Sequence, residues 1–417
     1  MLPRPSVSSP RRIVVQWPRF GPYHLARLRA LGARCDTLTG LETASHDDVY
    51  AWSEQTGMDG FERYTVFPGR TADQIPPNEA WRGVQRALDR IQPDALIINS
   101  YSHFDALACL AWARTNRKIA VCATDSRAED HPRRPFKEAI KRRLVRQFDA
   151  GLVAGTPHVS YLASLGVPEA CIALGCDVVD NDYFAREADA WRKRPRPDLP
   201  GLADPAPFFL VSARFISKKN LPGLLEAYAR YHAASPDPWR LVLLGDGPLR
   251  NVLEQQATAF PSVTFAGFQQ IDVLPAYYAH ASAFVLPSTT EQWGLVVNEA
   301  MASGLPVLVS NRVGCAPDLV DEGVNGWTFD PYDIGAMAEA LARLASLPAE
   351  EHTAMGEASR RIVADWGLEH YASGALQAVG LGAERATRGL SFDAQLLLGL
   401  MRRAARNATS FHSHVDV

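Results

Sequence analysis

No uncharged apolar run in this 417-residue chain approaches the roughly 18 residues that cross a bilayer, so no transmembrane helix is expected. The stretch Met1 to Arg12 has basic residues but no apolar core behind them, and no signal peptide is read there. The six cysteines (35, 109, 122, 171, 176 and 315) include no C-x-x-C pair. Cys171 and Cys176 stand at a four-residue gap with no second pair to complete a zinc site, which fits reduced thiols in a cytoplasmic protein. Strong net charge is missing too: 43 Lys and Arg stand against 46 Asp and Glu, a formal charge of -3. A dedicated nucleic-acid binder would carry a strongly basic domain, so no nucleic-acid partner is expected. Lysine itself is scarce. Only six of the 43 basic residues are Lys, and two of them, Lys218 and Lys219, are adjacent.

What is present is an ordinary globular balance, 47% hydrophobic and 21% charged, over a length that suggests two or three domains at about 150 residues each. The N-terminal half alternates short β-branched runs with helical patterns. Strands are expected at 13–15, 95–98, 119–122 and 151–154, with a helix from Tyr23 to Leu31. This alternation implies a parallel sheet covered by helices on both faces. Five prolines (195, 197, 200, 205 and 207) then interrupt both helix and strand, and 185–207 reads as an interdomain linker. The alternation restarts at 208–212, 241–244, 263–265, 283–286 and 306–309. The expected architecture is two successive doubly wound α/β domains.

The stretch Pro287 to Val309, PSTTEQWGLVVNEAMASGLPVLV, carries the most chemistry. A strand ends at Leu286, a polar loop leads to Glu291, Gly294 lies at a turn, and a helix begins near Leu295. Such a turn points free backbone N–H groups above the carboxyl edge of the sheet, a setting that favours phosphate. Glu299, about one turn into the helix, suits a pair of neighbouring hydroxyls, as acidic residues do for ribose. A dinucleotide fingerprint is absent. Gly245-Asp246-Gly247 lacks its third glycine, which is Arg250, and the first βα loop has a single glycine.

Glu291, then Trp293-Gly294, then Glu299, followed by Ala300, Gly304, Pro306 and Val307, resembles the Glu-x7-Glu signature of the retaining family-4 glycosyltransferases. The resemblance runs through most of the C-terminal half. Arg214 and Lys219 match the family's Arg and Lys five apart, Gly245 to Arg250 its next strand end, and Gly267 a later turn. Asp318, Gly323 to Gly326 and Phe329 follow its later pattern. It implies a GT-B fold, with two Rossmann-like domains facing across a cleft and closing about a linker. It also implies a retaining, metal-independent hexosyltransferase that uses a UDP- or GDP-linked sugar as co-substrate and no other cofactor. Glu299 would hold the ribose; Arg214, Lys219 and the Gly294 and Leu295 amides the diphosphate; Glu291 the donor-sugar hydroxyls. Gly245 and Gly267 would line the donor site. Asp180-Asn181-Asp182 has the D-x-D form of a metal motif but matches the family's hinge, and is read as structural.

The N-terminal domain matches less. Its first loop usually carries two glycines in this family, and here only Gly21 is present, followed by Tyr23 and His24 as acceptor-side candidates. His24 reads equally as a helix-start residue. His103 and Asp125 follow strands at the edge where α/β sites form, and either suits a proton acceptor or a structural cap. Asp125 stands near where family members often carry a histidine. The segment Pro132 to Phe148 sets Phe136, Ile140, Leu144 and Phe148 in an apolar stripe beside Lys137, Lys141, Arg142, Arg143 and Arg146. It reads either as a core-facing helix with a solvated outer face or as a helix lying on anionic lipid.

The expected organisation is therefore a disordered 1–12, an acceptor domain at 13–184, the linker at 185–207 and a nucleotide-sugar domain at 208–368. A crossover helix at 369–384 and a C-terminal helix and tail at 385–417 complete it. Asp365-Trp366 and the following helix match the family's return to the first domain, and His412 to His414 reads as a tail. The expected activity is transfer of a hexose to a glycan, lipid-linked or small-molecule hydroxyl. The expected location is the cytoplasm, or the inner face of the cell membrane as a peripheral protein. A GT-B sugar-nucleotide epimerase, or a silent sugar-nucleotide-binding protein, would share the donor features.

Overall fold

A computed structural model of the chain describes residues 11–46, 60–385 and 391–407. The expectation of a disordered 1–12 falls mostly outside these residues, as does that of a tail at His412 to His414. The chain divides into two compact units, one formed by 1–178 with 368–417 and the other by 179–367.

The first unit is built on a seven-stranded sheet in the order β3-β2-β1-β4-β5-β6-β7. Its strands are β1 (Arg12–Trp17), β2 (Thr37–His46), β3 (Glu62–Thr71), β4 (Ala95–Asn99), β5 (Ile119–Thr124), β6 (Ala150–Val153) and β7 (Ile172–Leu174). All neighbours pair in parallel. The alternating pleat serves two cores. Val14, Leu96, Ile98 and Cys122 face one helical layer, while Ile13, Val15, Ile97 and Val121 face the other. The helix Leu368–Ala383 lies on the second of these faces through Tyr371, Ala372, Ala375 and Ala378. Its small residues permit a close approach: a Cβ at Gly374 would sit 1.9 Å from the Leu174 carbonyl oxygen.

β2, β3 and β7 have no counterpart among the strands expected from the sequence. The sequence of β2, TLTGLETASH, is too polar to read as a buried strand, yet most of it is buried. Glu42 is fully buried because its carboxylate accepts from the Phe20 amide (3.0 Å), Arg63 (2.8 Å) and Thr65 (2.6 Å). A buried charge is tolerated when hydrogen-bonded and paired in this way. β3 contains Pro68 and Gly69, which suits its place at the sheet edge.

The second unit holds a six-stranded parallel sheet in the order β10-β9-β8-β11-β12-β13. Its strands are β8 (Phe208–Ser212), β9 (Arg240–Leu244), β10 (Val263–Gly267), β11 (Ala283–Leu286), β12 (Val307–Ser310) and β13 (Gly326–Phe329). The first four runs expected here are strands within one or two residues. The fifth, expected at 306–309, is shifted by one, and β13 was not anticipated.

The segment 185–207 is not a linker between the units. The chain passes from one to the other at Val178–Val179, and 185–192 complete the helix Asn181–Arg192. Asp180 caps that helix by accepting from the Tyr183 amide at 2.9 Å. The prolines do stop regular structure, but Arg240 ties the segment to the second unit. Its guanidinium donates to the carbonyls of Gly201 (3.0 Å), Asp204 (2.7 Å) and Ala206 (2.8 Å). Proline density marks irregular backbone; it does not say which unit that backbone is tied to.

Candidate active site

The strand order of the second sheet reverses direction beside β8, whose successor β9 lies on one side and β11 on the other. Loops leaving such a pair diverge and open a crevice at the carboxyl edge. Two loops flank it, 213–220 after β8 and 287–294 after β11.

The first loop is fastened to its neighbours by backbone bonds. The Ala213 amide donates to the Leu244 carbonyl (3.0 Å), the Phe215 amide to that of Asp246 (2.9 Å), and the Gly245 amide to that of Gly267 (2.8 Å). Arg214 is therefore held on both sides, with its side chain exposed. Gly245 is obligatory here: its φ is +124°, and a Cβ would stand 1.9 Å from the Ala213 carbonyl oxygen. A short 3-10 turn, Ser217–Lys219, then places Lys219. Its ammonium pairs with the Glu291 carboxylate, both side chains being mostly buried. Ser288 lies 3.4 Å from the same carboxylate oxygen, at the outer limit of a hydrogen bond. The two loops also join where the Thr289 amide donates to the Lys218 carbonyl at 2.8 Å.

The second loop is pinned on its far side. The amides of Gly314 and Cys315 donate to the carbonyls of Glu291 and Trp293, each at 3.0 Å. Gly294, at φ +106°, turns the chain into the helix Leu295–Ala302. The leading N–H groups of a helix have no partner within it, so a helix tip beside a cation is a setting that favours an anion. Arg192 and Arg360 sit at the other end of the helix and donate to the Ser303 carbonyl at 2.5 and 3.4 Å, complementing its dipole. Trp293 is locked by its indole N–H to Asn298 Oδ1 (3.0 Å) and by ring contact with Trp366 (5.2 Å). Glu299 is only 1% exposed, and its Oε2 accepts from the Tyr278 hydroxyl at 2.8 Å.

Within the second unit, then, Arg214, Lys219, Glu291, Gly294, Leu295, Gly245 and Gly267 gather on the loops and helix start at one sheet edge, with Glu299 one turn deeper. The sequence offers no signal for Tyr278 and Asn298, and it marks Trp366 only as part of the return to the first domain, not as a partner of Trp293. They lie in apolar or loop contexts where only three-dimensional neighbours reveal a task. Among the described residues, no group of three or more His, Cys, Asp or Glu is gathered as metal ligands.

In the first unit, Gly21, Tyr23, His24, His103 and Asp125 also follow parallel strands. Gly21 begins the helix Pro22–Gly32 with φ -98° and ψ -179°, extended backbone open to any residue. Its amide donates to His24 Nδ1 at 3.0 Å, so the neutral ring carries its proton on Nε2. Burial, with help from Arg27 and Arg19, pushes the His24 pKa down to about 3. His103 is the first-turn cap residue of the helix Phe104–Thr115, by backbone position and without a side-chain cap bond. Nearby, Asp105 is fully buried and accepts from Gln16 (2.9 Å) and Thr43 (2.7 Å).

The basic segment forms the helix Pro135–Val145. Its apolar stripe is split: Leu144 and Phe148 are core, whereas Phe136 is 77% exposed. Lys141 does not face outward as the membrane reading required. It is buried against Glu138 (3.1 Å) and the Tyr161 hydroxyl (3.4 Å), because a long side chain can bury its stem once its charge is paired. Arg142, Arg143 and Arg146 are exposed, and Lys137 is half-buried. No described helix is long and apolar enough to cross a membrane.

The profile of the family described as "Glycosyl transferases group 1" matches residues 197–362. A GDP-mannose-dependent alpha-(1-6)-phosphatidylinositol monomannoside mannosyltransferase from Mycolicibacterium smegmatis is 31% identical over 284 residues, 66% of this chain and 68% of that one. The sulfoquinovosyl transferase SQD2 of Arabidopsis thaliana is 40% identical over 126 residues, 29% of this chain and only 24% of the relative's length. Among solved structures, Anabaena HepE in complex with UDP and glucose aligns with a TM-score of 0.66 at 16% identity, covering 87% of this chain and 97% of its own. At that identity the likeness speaks for the fold alone, and with the two parallel sheets it establishes the α/β GT-B fold.

Proposed function

The chain belongs to the group 1 glycosyltransferases, and on that premise we propose that it moves a hexose-type sugar from a nucleoside diphosphate to an acceptor hydroxyl with retention of configuration. Glu299 holds the ribose. The Gly294 and Leu295 amides, Arg214 and Lys219 take the diphosphate. The observation that carries this reading is the Lys219–Glu291 ion pair beside the helix tip. When a diphosphate enters, Lys219 exchanges the carboxylate for a phosphate oxygen, and Glu291 turns to accept from hydroxyls of the donor sugar.

Chemistry then needs a home for developing negative charge. The bond between the anomeric carbon and the phosphate oxygen breaks, and the acceptor oxygen bonds to that carbon on the same face. The acceptor proton passes to the leaving phosphate, and nucleoside diphosphate departs. Fixed cations and helix amides stabilise the leaving oxygen without reorganising at the moment of reaction. Arg214 supplies a planar fork to phosphate and Lys219 a point charge. On this route neither His103 nor Asp125 is required as a base, and neutral His24 serves as a hydrogen-bond donor. The mycobacterial relative is named as GDP-mannose-dependent, and HepE was solved with UDP, so guanosine and uridine donors are the two to test. Nucleoside diphosphate released only when an acceptor is present supports transfer; sugar-nucleotide conversion without acceptor supports an epimerase instead.

A second surface favours an acceptor presented at an anionic lipid face. The helix Pro135–Val145, with exposed Phe136, Arg142 and Arg143 and with Arg146 just beyond it, touches the helix Phe392–Asn407, where Leu396, Leu400, Arg402 and Arg403 are exposed. Gln147, just past the end of the first, donates to the Oγ of Ser391, just before the start of the second, at 3.3 Å. Apolar residues among cations are the composition of an interfacial surface. Flotation with phosphatidylglycerol-containing liposomes at low salt tests this, and failure to co-float removes it.

A further inference from the structure

We infer that Tyr278 is a positioning residue for the nucleotide's ribose, acting through the Glu299 carboxylate. The inference rests on the reading that Glu299 is the ribose ligand.

Glu299 is nearly sealed from solvent, and a carboxylate there needs strong hydrogen bonds to stay charged. The Tyr278 hydroxyl supplies one to Oε2 at 2.8 Å, a charge-assisted bond of the stronger kind. What distinguishes this contact from an ordinary core bond is how tightly the phenol is seated. Tyr278 is fully buried in the helix Leu274–His280. Its ring meets Phe184 edge-on at 6.0 Å and lies against Phe284 at 6.1 Å. Phe184 is in turn held by its helix, whose Tyr183 hydroxyl donates to the Ile271 carbonyl at 3.1 Å. Two adjacent ribose hydroxyls can be gripped together only by a carboxylate held in one orientation. A glutamate has three rotatable bonds, so fixing one of its oxygens from a rigid ring sets the direction of the other.

The phenol's task thus differs from that of the cation pair. Lys219 and Glu291 answer to phosphate and sugar, whereas Tyr278 and Glu299 answer to the pentose. Removing the hydroxyl while keeping the ring should leave the protein folded and weaken its ability to tell ribose from deoxyribose.

The test is calorimetric binding of UDP and GDP and of their 2′-deoxy and 3′-deoxy forms to the full chain and four variants. Hydrogen bonds to charged groups predict that the unaltered protein prefers the ribonucleotide by about 10- to 100-fold. Glu299→Gln should erase most of this preference. Tyr278→Phe should shrink it by about tenfold, and Phe184→Leu, which keeps the phenol but loosens its seat, by about threefold. Leu341→Ala, a core truncation elsewhere in the unit, should lower stability and leave the preference intact. If Glu299→Gln loses the preference but Tyr278→Phe and Phe184→Leu retain it, the positioning role is overturned and the ribose reading stands. If Glu299→Gln itself retains it, the ribose reading fails and takes the inference with it.

Discussion

The two units solve the same architectural problem with opposite chemistry at their strand ends. In the second, charged side chains are left partly open above the sheet: Arg214 is exposed, and Lys219 is paired with the Glu291 carboxylate. In the first, the charges near β1 and β2 are closed off. Asp105 and Glu42 are fully buried with their oxygens taken by Gln16, Thr43, Arg63 and Thr65, and His24 is held neutral. On the proposed reading, an edge that takes a diphosphate needs charge that can be exchanged. An edge whose charges are already satisfied offers shape and hydrogen bonds instead.

The contrast breaks most visibly at Lys219. Lys219→Ala should lower turnover on the order of 10²-fold if a leading contact to the leaving group is lost, whereas His103→Gln and Asp125→Asn should each cost less than about tenfold. Steady-state rates with the preferred donor decide this, and equal losses at all three would erase the distinction between the units. Next in size is Gly245→Ala. The added Cβ would collide with the Ala213 carbonyl at a φ of +124°, so stability should fall by about 2 kcal/mol and donor affinity should drop with displacement of Arg214. Denaturant titration together with binding of UDP and GDP reads both effects. Asp105→Asn should cost about 1–2 kcal/mol through its disrupted buried bonds, with nucleotide affinity unchanged. A parallel loss of nucleotide binding would show that the two units are not chemically separate in this respect.

The last expected effect appears only in acid. His24 has a folded-state pKa near 3, below the ordinary value of 6.5, so the unfolded chain binds the extra proton between those values. Its contribution to stability is complete above about pH 6.5 and is lost as pH falls toward 3. His24→Gln should accordingly show a shallower decline in melting temperature across that window than the unaltered chain. A decline of unchanged slope would mean that the ring is not held neutral.

Legibility in the sequence follows the same divide. The placement of Gly294 and Gly245 at turns, and of Lys219 and the two glutamates on the adjoining loops and helix, was visible because helix starts and close backbone approaches demand particular residues at fixed spacings. Most strands of the second sheet were visible because each is a short apolar run, and β8, β9, β11 and β12 are buried almost throughout. β2 was not, because its polar residues are satisfied by partners such as Arg63 that lie far along the chain. Tyr278 was hidden for a related reason: nothing local separates a tyrosine that packs from one that packs and also aims a carboxylate. The boundary between units differs from the expectation because proline content reports backbone regularity, while 193–207 are tied to the second unit by the Arg240 guanidinium and by the buried Leu202.

The most direct measurement compares calorimetric affinities for nucleoside diphosphate and monophosphate, UDP against UMP and GDP against GMP, in the unaltered chain and in Lys219→Ala. A clamp built from Lys219, Arg214 and the helix tip predicts that the preferred diphosphate binds more tightly than its monophosphate and that most of this margin disappears in the variant. An undiminished margin without Lys219, or no margin at the start, would contradict the clamp.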